Sequence, residues 1–135
     1  MASPSPKGPH VSIMRSELGQ VRGLGPARSG VAHWWAQRLT ALALLPLTLW
    51  FILAIISLSG APHEVVLDWT GRPLTVVLLI CLVLATFYHM QLGLQVVIED
   101  YIHVERTKLL AIVAMKAATF LLGLSALVAV LKLGI

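Results

Sequence analysis

The chain has 135 residues, of which 58% are hydrophobic and 12% charged. Soluble domains carry roughly 25% charged residues, so ten basic and six acidic side chains are too few to cover a water-soluble globule of this size. The net charge of +4 does not point to nucleic acid, because the basic residues flank apolar stretches and act there as topology determinants, and a single cysteine, Cys81, excludes an intramolecular disulfide or a multi-cysteine metal or iron–sulfur site.

Residues 1–29 form a basic tail rich in Pro, Ser and Gly, carrying Lys7, Arg15, Arg22 and Arg28 against one acid, Glu17. The tail lacks hydrophobic periodicity and is expected to be mobile or docked on a partner. No apolar core of a signal peptide follows the first residues, so the tail is expected to be retained. Residues 30–135 form the membrane domain. Leu39 to His63 is a run of 25 residues without Asp, Glu, Lys or Arg, Pro73 to Ile98 one of 26, and Leu109 to Leu131 one of 23 broken by Lys116 alone. A spanning helix needs about 20 apolar residues. The runs are continuous rather than alternating, and a bilayer admits only helices or closed barrels. The sequence therefore predicts an all-α membrane protein with three transmembrane helices, at about 36–60, 73–99 and 107–132. Pro46 lies inside the first and frees the carbonyl of Leu42. Pro62 and Pro73 bracket a first loop, and Glu99 to Lys108 form the second.

Seven basic residues lie on the N-terminal side and in the second loop (Lys7, Arg15, Arg22, Arg28, Arg38, Arg106, Lys108), against Arg72 and Lys132 on the other side. The positive-inside rule then predicts a cytoplasmic N-terminus and a periplasmic C-terminus.

His89 is the histidine well inside a span; His33 and His103 lie near its cytoplasmic boundary. An ionisable residue within a membrane is a functional-site hypothesis by default. At 100° per residue His89, Gly93, Val96 and Asp100 fall on one stripe, with Asp100 about 16 Å from His89 along the axis. Two readings of His89 stand level. It is an axial ligand of haem iron, with Gly93 letting the flat macrocycle approach, or it is hydrogen-bonded to a neighbouring helix with Gly93 as a small packing residue. Taken alone, Tyr101 is more simply an interface anchor and Asp100 a solvated acid. Trp34 and Trp35 are belt residues; Arg38 snorkels to phosphates or pairs with carboxylates such as haem propionates, of which snorkelling is the simpler; Lys116 snorkels to the interface, and Cys81 is a packing residue.

Together, two segments resemble a known family. His89, Gly93 four residues later and Asp100-Tyr101 after six more, together with the opening Gly30-Val31-Ala32-His33-Trp34-Trp35-Ala36-Gln37-Arg38-Leu39-Thr40, are similar to the D-type hydrophobic membrane-anchor subunit of succinate dehydrogenase (succinate:quinone oxidoreductase, respiratory complex II). The resemblance covers residues 30–135 and is generic in the third span. It implies that His89 provides one axial ligand to haem b, that Tyr101 hydrogen-bonds a ubiquinone carbonyl beside Asp100, and that Arg38 lies near the haem propionates. Some relatives carry a histidine where this chain has Ala32, and His33 is a second propionate-side candidate one place later. Six-coordinate haem needs two axial ligands, and this chain offers one histidine at depth. The resemblance implies that a C-type cytochrome b anchor subunit supplies the other, with iron–sulfur and flavoprotein subunits docked on the cytoplasmic face. With no flavin or iron–sulfur motif of its own, the chain is not expected to be catalytic alone. Its expected location is a bacterial inner membrane rather than a mitochondrial one, because an Arg/Ser-rich amphipathic presequence is lacking. Two alternatives are the anchor of a quinol:fumarate reductase and a small non-redox membrane subunit without a chromophore.

Overall fold

The computed structural model describes residues 25–134, with side chains from residue 30 onward. The element order is α1 (Gly25–Leu58), α2 (His63–Gly71), α3 (Pro73–Tyr101) and α4 (Glu105–Gly134). Three of these, over Gly30–Leu58, Pro73–Tyr101 and Glu105–Gly134, are long and apolar enough to cross a membrane. The expected spans are thus found, and each is longer than its apolar run. The tail reading for residues 1–24 lies outside the described residues, whereas residues 25–29 are already helical. Packing is described below for the compact unit His33–Ile135.

At 1.5 Å per residue α1 is about 51 Å long, well beyond the ~30 Å hydrocarbon layer. It runs through Pro46 and ends at Leu58, and the turn after it contains Gly60, whose φ of +80° suits a residue without a Cβ. Ser59 and Ala61 donate backbone hydrogen bonds to Ile56 and Leu58 to close this turn.

The first loop departs from expectation: nine of its residues are a helix, α2. Windows of about 20 apolar residues pass over so short an element, but its sequence has helical logic. Pro62 caps it and Glu64 sits in its first turn, where the helix dipole favours a carboxylate. Val66, Trp69 and Thr70 are the more buried residues, at i, i+3 and i+4, while Glu64 and Asp68 are exposed. Trp69 stacks on Trp50 of α1 with ring centroids 5.8 Å apart and planes 25° from parallel. Arg72 pairs with Asp68 at 2.8 Å, both exposed, so the pair adds little stability. Arg72 alone, in extended conformation, joins α2 to α3. Pro73 at the first position of α3 imposes that conformation on the residue before it.

Residues 102–104 connect α3 to α4, and this short link makes the pair antiparallel. A Cβ added to Gly123 of α4 would lie 3.3 Å from Cγ of Phe87, and one added to Gly134 would lie 2.5 Å from Cγ2 of Val76. The two helices therefore approach closely where α4 has no side chain, as spanning helices do when small residues line their seam. Thr119 is buried in the same helix and donates to the carbonyls of Met115 and Lys116, at 2.9 and 3.1 Å. Thr70 of α2 donates to Leu67 at 3.0 Å and to Leu133 of α4 at 3.4 Å, tying the short helix to the end of the last span. Among the described residues the buried set is Leu92, Thr70, Thr75 and Thr119. Leucines 42, 45, 49 and 53 of α1 and Phe120 and Leu121 of α4 all face outward. Such faces are stable only against lipid or protein. Cys81, read above as a packing residue, is also exposed; it lies on the outer side of α3.

Candidate functional site: a histidine tied across two spans

His89 lies near the middle of α3 and is half-buried. Its Nδ1 is 3.0 Å from Oγ1 of Thr40 on α1. The same hydroxyl approaches two carbonyls of its own helix, Ala36 at 2.7 Å and Gln37 at 3.1 Å. Thr40 is thus bonded to the turn behind it and to the imidazole across the seam at once. Nε2 of His89 has no hydrogen-bond partner among the described residues.

One turn further along α3, Gly93 faces the same helix. A Cβ built there would meet Nε2 of Gln37 at 3.6 Å, an ordinary contact. The gap left by the glycine therefore lies beside the Gln37 side chain. On α1, His33, Gln37 and Thr40 recur at i, i+4 and i+7, which places them on one face. Oε1 of Gln37 and Nε2 of His33 are both buried with no hydrogen-bond partner among the described residues. Native proteins pair almost all such atoms with protein or ordered water, so these two mark where a further polar group belongs.

Arg38 is on another side of α1. Its guanidinium lies 5.2 Å from the ring centre of Trp34, in a cation–π contact. Trp34 meets Trp35 edge to face at 5.1 Å and 83°. Both indoles and the arginine are exposed, as suits a belt at the membrane–water boundary.

Asp100 and Tyr101 are the last residues of α3, and the helix carries their register unbroken from His89. Tyr101 is 80% exposed and Asp100 is exposed beside it. Neither makes a side-chain hydrogen bond among the described residues. Gln95 and Glu99 bond to each other at 2.8 Å on the preceding turns. The structure thus joins His89 to α1 and leaves the acid–phenol pair about 16–18 Å away along the axis, on a surface that the described residues do not cover. Thr40 and Gln37 are the residues that sequence reasoning left without a role. Their signal was present as three polar residues, His33, Gln37 and Thr40, at helical spacing on one face of α1.

Among the described residues no three of His, Cys, Asp and Glu converge on a point. A metal bound at His89 would therefore take its other ligands from elsewhere. The donor set fits one axial position of a haem: a single imidazole in an apolar span, anchored through one nitrogen and unpartnered at the other.

The family model described as succinate dehydrogenase/fumarate reductase transmembrane subunit matches residues 3–123. The chain belongs to this family. It is 32% identical over 120 residues to the succinate dehydrogenase hydrophobic membrane anchor subunit of Rickettsia bellii, which covers 89% of this chain and 96% of that one. The subunit of the same description from Rickettsia conorii is 34% identical over 102 residues, 73% of this chain and 81% of its own. That of Paracoccus denitrificans is 33% identical over 79 residues, 58% of this chain and 61% of its own. No solved structure matches. Membership agrees with the three apolar spans and with the resemblance carried by His89, Gly93, Asp100 and Tyr101.

Proposed function

We propose that this chain is the hydrophobic anchor of a succinate:ubiquinone oxidoreductase in a bacterial inner membrane, that it helps hold haem b through His89, and that it forms part of the ubiquinone-reduction site. The observation that carries the reading is the lone half-buried imidazole of α3, bonded through Nδ1 to Thr40 and with no partner at Nε2 among the described residues. The family takes in both succinate dehydrogenase and fumarate reductase subunits. The relatives named above are all succinate dehydrogenase anchors, which favours succinate oxidation as the working direction.

When bound, haem b supplies a one-electron redox centre within the membrane. His89 would hold the haem iron through its imidazole, jointly with a C-type cytochrome b anchor chain paired one to one with this one. Of the residues nearer the start of α1, His33 shares the face of Thr40 and serves the propionate side, where an imidazole can pair with carboxylates; Arg38, on another side of α1, serves it by turning its guanidinium away from Trp34. At the other site the Tyr101 hydroxyl donates a hydrogen bond to a quinone carbonyl and stabilises the negative charge that develops as two electrons and two protons convert quinone to quinol. Asp100 orders water beside it for proton delivery. Tyr101 is 80% exposed among the described residues, which leaves room for partner subunits to wall the pocket. The flavoprotein and iron–sulfur subunits sit on that same face, which the basic residues of the N-terminal side and of Arg106 and Lys108 favour as cytoplasmic.

The test is the visible spectrum of the purified complex. His89→Ala is expected to remove the low-spin haem bands or convert them to a high-spin form. An unchanged spectrum would remove the ligand assignment.

A further inference from the structure

The Thr40 hydroxyl has one proton and three polar atoms around it: the Ala36 carbonyl at 2.7 Å, the Gln37 carbonyl at 3.1 Å and Nδ1 of His89 at 3.0 Å. A carbonyl can only accept, whereas a neutral imidazole nitrogen can take either part. If the hydroxyl gave its proton to the ring, an Oγ1 lone pair would face the Ala36 oxygen at 2.7 Å with no hydrogen between them, a repulsive contact. If the proton goes to the Ala36 carbonyl, that contact becomes a hydrogen bond of good length. Oγ1 then turns a lone pair to the ring, and Nδ1 must be the donor.

We propose that Thr40 is the positioning residue of His89: by accepting from Nδ1–H it holds the ring as a single tautomer whose basic nitrogen is Nε2. This rests on the reading of His89 as an axial ligand, and it assigns the outer partner such ligands require. A hydrogen-bonded Nδ1–H fixes ring orientation and raises the basicity of the other nitrogen. The partner is on a different helix, so ligand geometry is coupled to the α1–α3 seam. Inside an apolar span bulk water is not there to replace the hydroxyl.

The experiment uses the complete purified complex with Thr40→Val, which keeps the branched shape and removes the oxygen. Haem retention under challenge by apomyoglobin is expected to fall roughly tenfold or more. The midpoint potential of the remaining haem is expected to rise, since a less basic ligand stabilises the ferric state less. Thr40→Ser is expected to restore both. Unchanged retention, potential and low-spin electron paramagnetic resonance in Thr40→Val would overturn the assignment. Should that variant fail to assemble, pulsed resonance on parent complex labelled with ¹⁵N-histidine reads the remote nitrogen of His89 directly. An exchangeable Nδ1 proton whose coupling marks it as hydrogen-bonded sustains the proposal, and an Nδ1 that is bare or carries a free N–H overturns it. His89→Ala, run in parallel, separates the two ideas. An intact haem spectrum there removes the ligand reading itself, while its loss beside an unaffected Thr40→Val removes the role of Thr40 alone.

Discussion

The two seams of α3 are built in opposite ways. Against α4 it closes on small residues, with Gly123 under the Phe87 ring and Thr119 turned back onto its own helix. The described side chains make no polar bond across that seam. Against α1 the helices are bridged by longer side chains and joined by one polar bond, Thr40 to His89, with Gln37 and His33 left carrying unpaired buried atoms nearby. The first seam satisfies itself within this chain and needs only packing. The second spends polar groups where lipid would prefer none, which is the pattern of a site rather than of a scaffold.

Substitutions can break that contrast or sharpen it. The largest effect belongs to the His89→Ala variant described above, which acts on the α1 seam. Next, Tyr101→Phe, in neither seam, is expected to lower quinone reduction by about tenfold or more, the scale of losing a hydrogen bond made in the transition state. Succinate oxidation with an artificial dye acceptor and the haem bands should persist; equal loss of both activities would remove Tyr101 from the quinone site. In the α4 seam, Gly123→Leu overfills a position where even one carbon lies 3.3 Å from Phe87. It is expected to cost about 1–3 kcal/mol, read as a lower thermal midpoint of the detergent-solubilised complex, with the haem bands of the surviving fraction in place. A loss of haem with no loss of stability would mean that the two seams are not separable. The smallest effect is expected for Gly93→Ala. Its new methyl meets Gln37 at an ordinary 3.6 Å, and alanine favours a helix by about 1 kcal/mol over glycine, so stability should stay within that amount of the parent. A large loss of stability would show that the space beside Gln37 is needed by something else.

The family relationship and the spans were legible because they depend on local quantities. Run lengths gave three crossings, and a fixed 3.6-residue period placed Asp100 in register with His89 on α3. The short helix α2 was missed because its nine residues fall below the length at which apolar content identifies a span, although Pro62, Glu64 and the spacing of Val66, Trp69 and Thr70 encode it. Cys81 was misplaced for a different reason. In a helix that is apolar all round, no stripe distinguishes the face that meets a neighbour from the face that meets lipid.

Composition, hydropathy and basic-residue placement by themselves determined that this chain lives in a membrane as three helices with one imidazole at depth. The tertiary structure decided which helix that imidazole is bonded to, that the space at Gly93 opens on Gln37, and that Gly123 rather than a polar contact closes the other seam. The reason is geometric. Spacing along one helix is set by backbone hydrogen bonds within it, whereas the rotation and tilt of one uniformly apolar helix against another are set by side-chain fit across the seam, which appears once all three helices are packed.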